Sequence, residues 1–353
     1  ERHFLYEWYL KILPRFKPDV FIMENVPGIL SSKVNGEGIF DRILKDLKKP
    51  GYKLFPLTRP VQEDEFQEHS DYKIKSHLYG IPQARERVII LGIRDDLVGN
   101  QATPFLKEEL VNDSQSVLDG MPILRSGLSK IDRIKAKDNV KNWKKELKKG
   151  WSCLNGAPRE VKEKLREVRD QIQEMDYKYE RGSRFVPCKR YGQSNSLPSE
   201  LQDWYIDKDL GGYLNHEARS HMDSDLRRYL FNSVFTKVKK RPPLLGDYPE
   251  ALLPDHKNRY SGNHKDRFRT VVPNLPSKTI TSHISKDGHA YIHYDPLQCR
   301  SLTVREAARL QSFPDNYFFC GNRTQQYHQV GNAVPPYLAK QIAEVVAGIL
   351  ERG

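Results

Sequence analysis

The sequence lacks any apolar run of the roughly 20 residues that a membrane-spanning helix needs. Its longest apolar run, residues 88–93, has the length of one buried strand. Cysteine is also scarce: the four cysteines are widely spaced and form no C-x-x-C pair. This spacing argues against a zinc ribbon and against a disulfide framework. We therefore expect no membrane span, no metal and a reducing, cytoplasmic setting.

An initiator methionine and a signal-like apolar segment are likewise missing, since the chain begins with Glu1. We expect that Glu1 is not the natural start and that a segment precedes it. With 353 residues, of which 38% are hydrophobic, the chain can nevertheless bury a substantial core, and its length favours two domains.

Acidic residues are outnumbered, with 46 Asp and Glu against 58 Lys and Arg, which gives a formal net charge of +12. Such a surplus favours a polyanionic partner, with nucleic acid as the first candidate. The alternative is that the excess lysine only keeps the protein soluble. Charge by itself does not decide between the two.

The apolar pattern of the first 95 residues alternates between two periods. Three- to four-residue spacing predicts a helix over residues 2–16, and a short apolar run predicts a buried strand over 19–23 that stops at Glu24 and Asn25. A helix over 39–47 and strands over 52–58 and 87–93 follow. This order predicts the later half of an open α/β sheet, in which ligands lie beyond the carboxyl ends of the strands.

After about residue 95 the sequence becomes polar and rich in lysine, which predicts a second domain. Residues 130–150 hold nine basic against three acidic side chains, and form either a solvated helix face or a DNA contact. A stronger DNA candidate is the stretch 257–269, which interleaves aromatic rings with basic residues. The predicted DNA-binding side chains are Arg259, Lys265, Arg267 and Arg269.

The last quarter contains clear turn and cap signals. An Asp-Gly step between two alternating segments, 279–284 and 289–294, predicts a hairpin. Thr303 followed by Glu306 forms a capping box that opens a helix over 303–313, which Pro314 ends. Pro335 and Pro336 then open a final helix that runs to residue 350.

Four short motifs, in their order along the chain, resemble the DNA cytosine-5 methyltransferase family. The second and third are separated by a long variable segment, as in that family. The motifs are Glu24-Asn25-Val26-Pro27-Gly28, Gln83-Ala84-Arg85-Glu86-Arg87, Leu302-Thr303-Val304-Arg305-Glu306 with Ala308-Arg309-Leu310-Gln311, and Gln329-Val330-Gly331-Asn332-Ala333-Val334. Each motif is weak evidence by itself, but the four in this order are strong evidence. Residues 95–275 match no motif of the family.

The resemblance implies that a cytosine flips out of double-stranded DNA, a cysteine thiolate adds to C6, and C5 takes a methyl group from S-adenosylmethionine. Glu24 would act at the cytosine N3 as a general acid, Arg87 would contact the base, and Arg85 would be its structural partner. Read without the family, Glu24 is a strand-end carboxylate that caps the next turn, and the arginines are surface residues.

The resemblance also assigns cofactor contacts to Asn332, Ala333 and Val334, ahead of the final helix, where the alternative is an ordinary helix start. The family's Pro-Cys-Gln nucleophile loop and its Phe-x-Gly-x-Gly cofactor loop do not occur in these residues. Pro187-Cys188 is followed by Lys189 and is a poor substitute, and Gly36-Glu37-Gly38 is expected to be a flexible turn. Scattered histidines lack the spacing of a metal site.

We therefore expect an incomplete Rossmann-like methyltransferase sheet, residues 1–95, a mixed and mostly irregular target-recognition domain, residues 96–300, and a return segment, residues 301–353. The implied function is that of a bacterial restriction-modification methyltransferase, inactive until a complementing segment or subunit supplies the thiol. A non-catalytic DNA-recognition subunit is the first alternative. A basic DNA-binding module without an enzymatic role is the second.

Overall fold

The computed structural model describes residues 6–62, 65–99, 103–149, 154, 156–193, 196–253 and 268–351. The chain forms two compact units: the first comprises Glu1–Val111 and Val334–Gly353, and the second comprises Asn112–Ala333. The sequence placed the boundaries near residues 95 and 300. They differ because the segment around residues 302–332 packs within the second unit, where its helices contact a strand and a turn of that unit.

Helices and strands follow one another closely along the chain. The helices are α1 Tyr6–Phe16, α2 Ile39–Lys48, α3 Ser114–Leu118, α4 Val140–Lys148, α5 Arg159–Glu174, α6 Ser199–Tyr205, α7 Asp223–Lys239, α8 Val304–Leu310, α9 Arg323–Asn332 and α10 Pro336–Leu350. The strands are β1 Val20–Asn25, β2 Lys33–Val34, β3 Glu37–Gly38, β4 Tyr52–Phe55, β5 Lys73–Lys75, β6 Gln83–Ala84, β7 Glu86–Arg94, β8 Gly127–Ile131, β9 Ile134–Lys135, β10 Gly182–Pro187, β11 Gly212–Glu217, β12 Ser220–Met222 and β13 Ser277–Lys278. None of the helices in this described part is long and apolar enough to cross a bilayer.

The first unit is built on a sheet with β7 at its centre. β1 pairs antiparallel with one edge of β7, while β4 and β5 pair antiparallel with the other. Val88 shows the arrangement, because it faces Asn25 on one side and Lys73 on the other. Gly92 is required in β7, since a Cβ there would lie 2.1 Å from the ring of Phe21. The predicted strands are confirmed, and the pairs that this sheet contains are antiparallel.

Helix α1 leaves part of its apolar stripe exposed. Trp8 and Ile12 belong to the three- to four-residue spacing that predicts this helix, yet Trp8 is 66% exposed and Ile12 48% exposed. The residues that are buried are Tyr6 and Leu13. A periodic apolar stripe does not specify which neighbour covers it. The spacing of apolar residues therefore predicts the helix but not the element that packs against it.

The second unit is centred on helix α7, whose middle turns are buried on every side. Helices α4 and α5 pack against it and contribute the fully buried side chains Trp143 and Leu165 to a common core. β10 and β11 form an antiparallel pair, and β8 pairs parallel with β12 and antiparallel with β9. The described part of the basic run, residues 130–149, spans the end of β8, β9 and α4, and Trp143 and Leu147 of α4 face inward.

The capping box predicted at the start of α8 is confirmed. Thr303 Oγ1 accepts a hydrogen bond from the Glu306 N–H at 3.2 Å, and Glu306 Oε2 accepts one from the Thr303 N–H at 2.7 Å. The helix ends at Leu310, before the predicted Phe313, because Ser312 adopts a left-handed conformation with φ +61°. Two residues thus satisfy each other's free helix-end groups.

The same carboxylate is the anion of a buried ion pair. Arg300 donates to both oxygens of Glu306, at 2.6 Å each, and both side chains are almost fully buried. Burial raises the pKa of Glu306, but the charge of Arg300 and its hydrogen bonds outweigh that effect and hold the pKa well below its ordinary value. Glu306 therefore stays charged inside the second unit.

The hairpin predicted from the Asp-Gly step is wrong. Residues 282–285 form a short 3-10 helix instead of a strand. Ile292 bridges Thr270 and Ser301, so its partners come from outside the predicted hairpin. Gly288 does adopt the expected positive φ, +74°. The turn signal was correct, but distant residues took the backbone hydrogen bonds that a hairpin would have used.

Replacement of Glu306 by Gln should destabilise the second unit by about 3–5 kcal/mol, because it leaves the Arg300 charge buried without an anion. The free energy of unfolding in urea measures this loss. Glu163→Gln is the matched control, since Glu163 pairs with Arg159 on an exposed helix face and its loss should cost about 0.5 kcal/mol or less. Equal effects of the two substitutions would contradict the assignment.

Candidate active site

The antiparallel pairing of β1 with β7 brings the end of one strand beside the start of the other. Glu24 lies opposite Ile89, and Asn25 lies opposite Val88. Arg87 follows directly at this end of the sheet, where its Nε lies 2.7 Å from Glu24 Oε1. The two residues that the sequence singled out as a chemical pair are therefore in direct contact.

This ion pair is partly exposed to solvent, and its two side chains have few other partners. The side chain of Glu24 is 32% exposed and that of Arg87 is 15% exposed. Arg87 Nη1 donates to the Glu86 carbonyl at 2.7 Å. Apart from each other and the Glu86 carbonyl, the two side chains have no partner among the residues that the structure describes. The Glu24 carboxyl, which can accept a hydrogen bond or act as an acid, thus lies beside the Arg87 guanidinium, which can donate. Both groups can contact one planar ligand.

The turn after β1 is organised by Asn25 rather than by Glu24. Asn25 Oδ1 accepts a hydrogen bond from the Val26 N–H at 2.8 Å, and Pro27 opens a 3-10 helix, Pro27–Leu30. No side chain caps that helix. The alternative in which Glu24 caps the turn is therefore not what the structure contains.

Arg85 differs from Arg87 in its surroundings. Arg85 is 2% exposed, and the strand is interrupted there, between β6 and β7. Its carbonyl accepts hydrogen bonds from both the N–H and the hydroxyl of Ser76, at 2.8 and 2.9 Å. Burial fits the expected structural role of Arg85. The placement of the Arg85 and Arg87 guanidinium groups on one side of a pocket stays a prediction.

The Gly-Asn-Ala-Val segment has a different context from the predicted one. Gly331 and Asn332 are the last residues of α9, and Ala333 follows as its cap. The final helix begins at Pro336, so the segment precedes it as expected. The side chain of Asn332 is exposed, whereas Ala333 and Val334 are half-buried. The sequence pattern did not predict α9, which already contains the first half of this motif.

Gln311 holds this segment, and sequence reasoning gave it no role. Its Nε2 donates to the carbonyls of Val330 and Ala333, at 3.0 and 2.9 Å. These are helix-end carbonyls, which need a donor when they are buried. The signal was available, since Gln311 is the last residue of the quoted Ala308-Arg309-Leu310-Gln311 motif.

Most of the predicted DNA-binding side chains, Arg259, Lys265 and Arg267, lie outside the described residues. Arg269 is half-buried, and its backbone exchanges hydrogen bonds with His289 and Ile292. Within residues 130–149, Lys144 is held by the carbonyls of Gln173 and Met175. The other basic side chains there are mainly exposed, which fits both interpretations of the run.

Metal ligands do not cluster in the described part of the chain: no group of three or more His, Cys, Asp or Glu side chains could hold an ion there. Several histidines are instead buried and hydrogen-bonded. His216 lies between the Thr303 hydroxyl and the Pro122 carbonyl, and burial lowers the pKa of His216 to about 4. Its ring is thus neutral near pH 7 and serves packing.

Comparison with a solved structure defines the fold. A protein described as a DNA modification methyltransferase encoded within a prophage (E. coli) aligns with 99% of this chain and 75% of its own, with a TM-score of 0.52 and 19% identity. The α/β organisation around Glu24 and Arg87 therefore occurs in a fold already known among methyltransferases.

Sequence comparison gives the family. The model for C-5 cytosine-specific DNA methylases matches residues 1–347, so the chain belongs to that family. The type II methyltransferase M.Bpa9945I of Bacillus paralicheniformis is 31% identical over 99% of this chain, which spans 64% of that relative's length. The DNA (cytosine-5-)-methyltransferase M.ApeKI of Aeropyrum pernix is 28% identical over 98% of this chain and 75% of its own.

Gly331→Ala should destabilise the second unit by about 1–3 kcal/mol. A Cβ at residue 331 would lie 2.3 Å from the backbone nitrogen of Ser282, and backbone cannot easily move aside. Helix propensity by itself predicts that this substitution stabilises the protein. Gly348→Ala, in α10 with open space around it, is the matched control and should stabilise by about 0.5–1 kcal/mol. Urea unfolding measures both, and stabilisation by both would contradict the close packing at Gly331.

Proposed function

We propose that this chain carries the base-activating and sequence-reading parts of an S-adenosylmethionine-dependent DNA cytosine-5 methyltransferase, as found in bacterial restriction-modification systems, where it would act in the cytoplasm. The contact between Glu24 and Arg87 carries the proposal. It supplies a carboxyl group and a guanidinium group at the end of one strand pair, partly exposed and without a further side-chain partner among the described residues.

A cytosine is a poor acceptor for a nucleophile because negative charge must move into its ring. A carboxyl group at N3 can share or donate a proton as that charge develops, and an arginine can bond O2. Glu24 and Arg87 fit these two roles because their side chains are in direct contact and partly exposed. The ion pair also holds Arg87 in place before a base arrives, which reduces reorganisation.

The attacking thiol is proposed to come from outside these 353 residues. Cys299 is fully buried, and burial raises the pKa of its thiol far above neutrality, so it is not a nucleophile. The other three, Cys153, Cys188 and Cys320, all come after residue 111, and none of them stands in the family's Pro-Cys-Gln context. The first unit of the chain, residues 1–111 with 334–353, contains no cysteine.

The surface beside the active site supports a complementing polypeptide. The outer edge of β1 has no strand partner among the described residues, although its sequence, Val-Phe-Ile-Met, is that of an interior strand. Trp8, Ile12 and Phe16 on the preceding helix are exposed. We propose that the segment with the thiol adds a strand to β1 and covers this helix face.

S-adenosylmethionine, when bound, supplies the methyl group. We propose that Asn332, Ala333 and Val334 contact it. The Asn332 amide suits this role, since it is exposed and has no partner among the described residues, and Gln311 fixes the backbone beside it. The rest of the cofactor site is assigned to the complementing segment, because no Phe-x-Gly-x-Gly loop occurs here.

The chain by itself should transfer no methyl group to duplex DNA from radiolabelled S-adenosylmethionine. Transfer should begin when the segment with the family's Pro-Cys-Gln loop is supplied, in the same chain or separately. Incorporation of label into DNA measures both. Robust transfer by the chain alone would show that the nucleophile is already present.

In the completed enzyme, Glu24→Gln should lower turnover by about 100-fold or more, because the amide cannot deliver a proton to N3. The dissociation constant for DNA should change by less than about threefold. Single-turnover methyl transfer and a binding titration separate the two. Glu7→Gln is the matched control, since Glu7 also pairs with an arginine of the first unit but on an exposed surface.

The two outcomes also separate the alternatives. Equal losses of binding and turnover in the Glu24→Gln variant would assign Glu24 a structural role. Unchanged turnover would favour a recognition subunit or a DNA-binding module whose partner supplies the whole active site.

A further inference from the structure

Arg184 in β10 is held in an unusual way for an exposed arginine. Its guanidinium lies over the ring of Phe318, with the central carbon 4.4 Å from the ring centroid. It has no hydrogen-bond or ion-pair partner anywhere in the described part of the chain. Arginine stacked on an aromatic face keeps its planar edge, with the N–H donors, available to another group.

The two halves of this stack are positioned by one strand. β10 pairs with β11, so that Phe185, next to Arg184, lies opposite Leu214. Asn215, the next residue of β11, donates to the Phe319 carbonyl at 3.1 Å and accepts from the Phe319 N–H at 3.0 Å. The arginine and its ring are thus attached to the same strand, and the stack is organised before any ligand binds.

Arg184 and Phe318 line a cleft of about 390 Å³ within the second unit. The cleft also contains Arg323 and Glu217, which form an ion pair at 2.8 Å. Glu217 also pairs with Arg181 at 3.4 Å, and Arg181 has a second anion in Asp138 at 3.2 Å, so both arginines are paired and Glu217 would repel phosphate oxygens. Arg184 remains the one cation of the cleft lining without an anion among the described residues.

We propose that Arg184 is a specificity-determining residue that reads a guanine in the recognised DNA sequence. A planar arginine fork matches the O6 and N7 acceptors that guanine presents in the major groove. A phosphate contact needs no stacking platform and is disfavoured by the nearby carboxylate. The inference rests on the proposed function, because it assumes that the second unit faces duplex DNA.

The test is selection of duplexes by the full 353-residue chain from a library with randomised sequence. The wild-type chain should enrich a short motif that includes guanine. Arg184→Ala should lose the guanine preference at one position and keep the rest of the motif. Affinity for the wild-type motif should fall about 10- to 100-fold.

Arg184→Lys separates base reading from charge. Lysine retains the charge but not the planar fork, so the guanine preference should weaken while binding to unrelated DNA stays the same. Phe318→Leu should weaken the same preference through loss of the platform. Lys189→Ala, which removes an exposed charge close to β10, is the control and should leave the preference intact.

Two results would overturn the proposal. Uniformly weaker binding of the Arg184 variants, with the selected motif unchanged, would make Arg184 a phosphate contact. If the wild-type chain selects no motif, the second unit does not read the DNA sequence. Methyl transfer that depends on Glu24 in the completed enzyme is measured separately, so it can succeed where base selection by Arg184 fails.

Discussion

The antiparallel register of β1 on β7 is the constraint on which the candidate active site depends. Because the strands run in opposite directions, a carboxylate at the end of β1 and an arginine at the start of β7 meet at one end of the sheet. A shift of the register by one residue would turn Glu24 to the other face. Gly92 and Phe21 make such a shift costly, since the ring occupies the space that only glycine leaves free.

The buried ion pair of Arg300 and Glu306 has the opposite character and serves position rather than chemistry. Glu306 bonds Arg300 and the Thr303 cap, and Arg300 donates further to Gln298 and to the carbonyls of Leu124 and Ser301. Arg309 and Asp315 form a similar pair on the following turn. Glu24 and Arg87, in contrast, are partly exposed and have no further side-chain partner among the described residues. This difference supports the reactive role proposed for Glu24 and Arg87.

Local signals predicted local structure well. The strands that contain Glu24 and Arg87, the capping box at Thr303 and the proline start of the last helix depend on neighbouring residues, and a single sequence contains that information. The hairpin after residue 279 failed because Ile292 pairs with Thr270 and Ser301, which are far from the turn in sequence. The exposed Trp8 and the stack of Arg184 on Phe318 also depend on distant partners, so no local pattern indicated them.

The surroundings of the arginines indicate which task each of the two units of the chain suits. In the first unit, Glu24 and Arg87 form a partly exposed carboxyl and guanidinium pair, which suits proton sharing with a base. In the second unit, Arg184 is a stacked guanidinium without a carboxylate partner among the described residues, which can donate hydrogen bonds but cannot accept one. Chemistry on a base requires the first arrangement, and identification of a base requires only the second. In the proposed roles, the same side-chain type would therefore serve two tasks because its partner differs: Glu24 for Arg87 and the ring of Phe318 for Arg184.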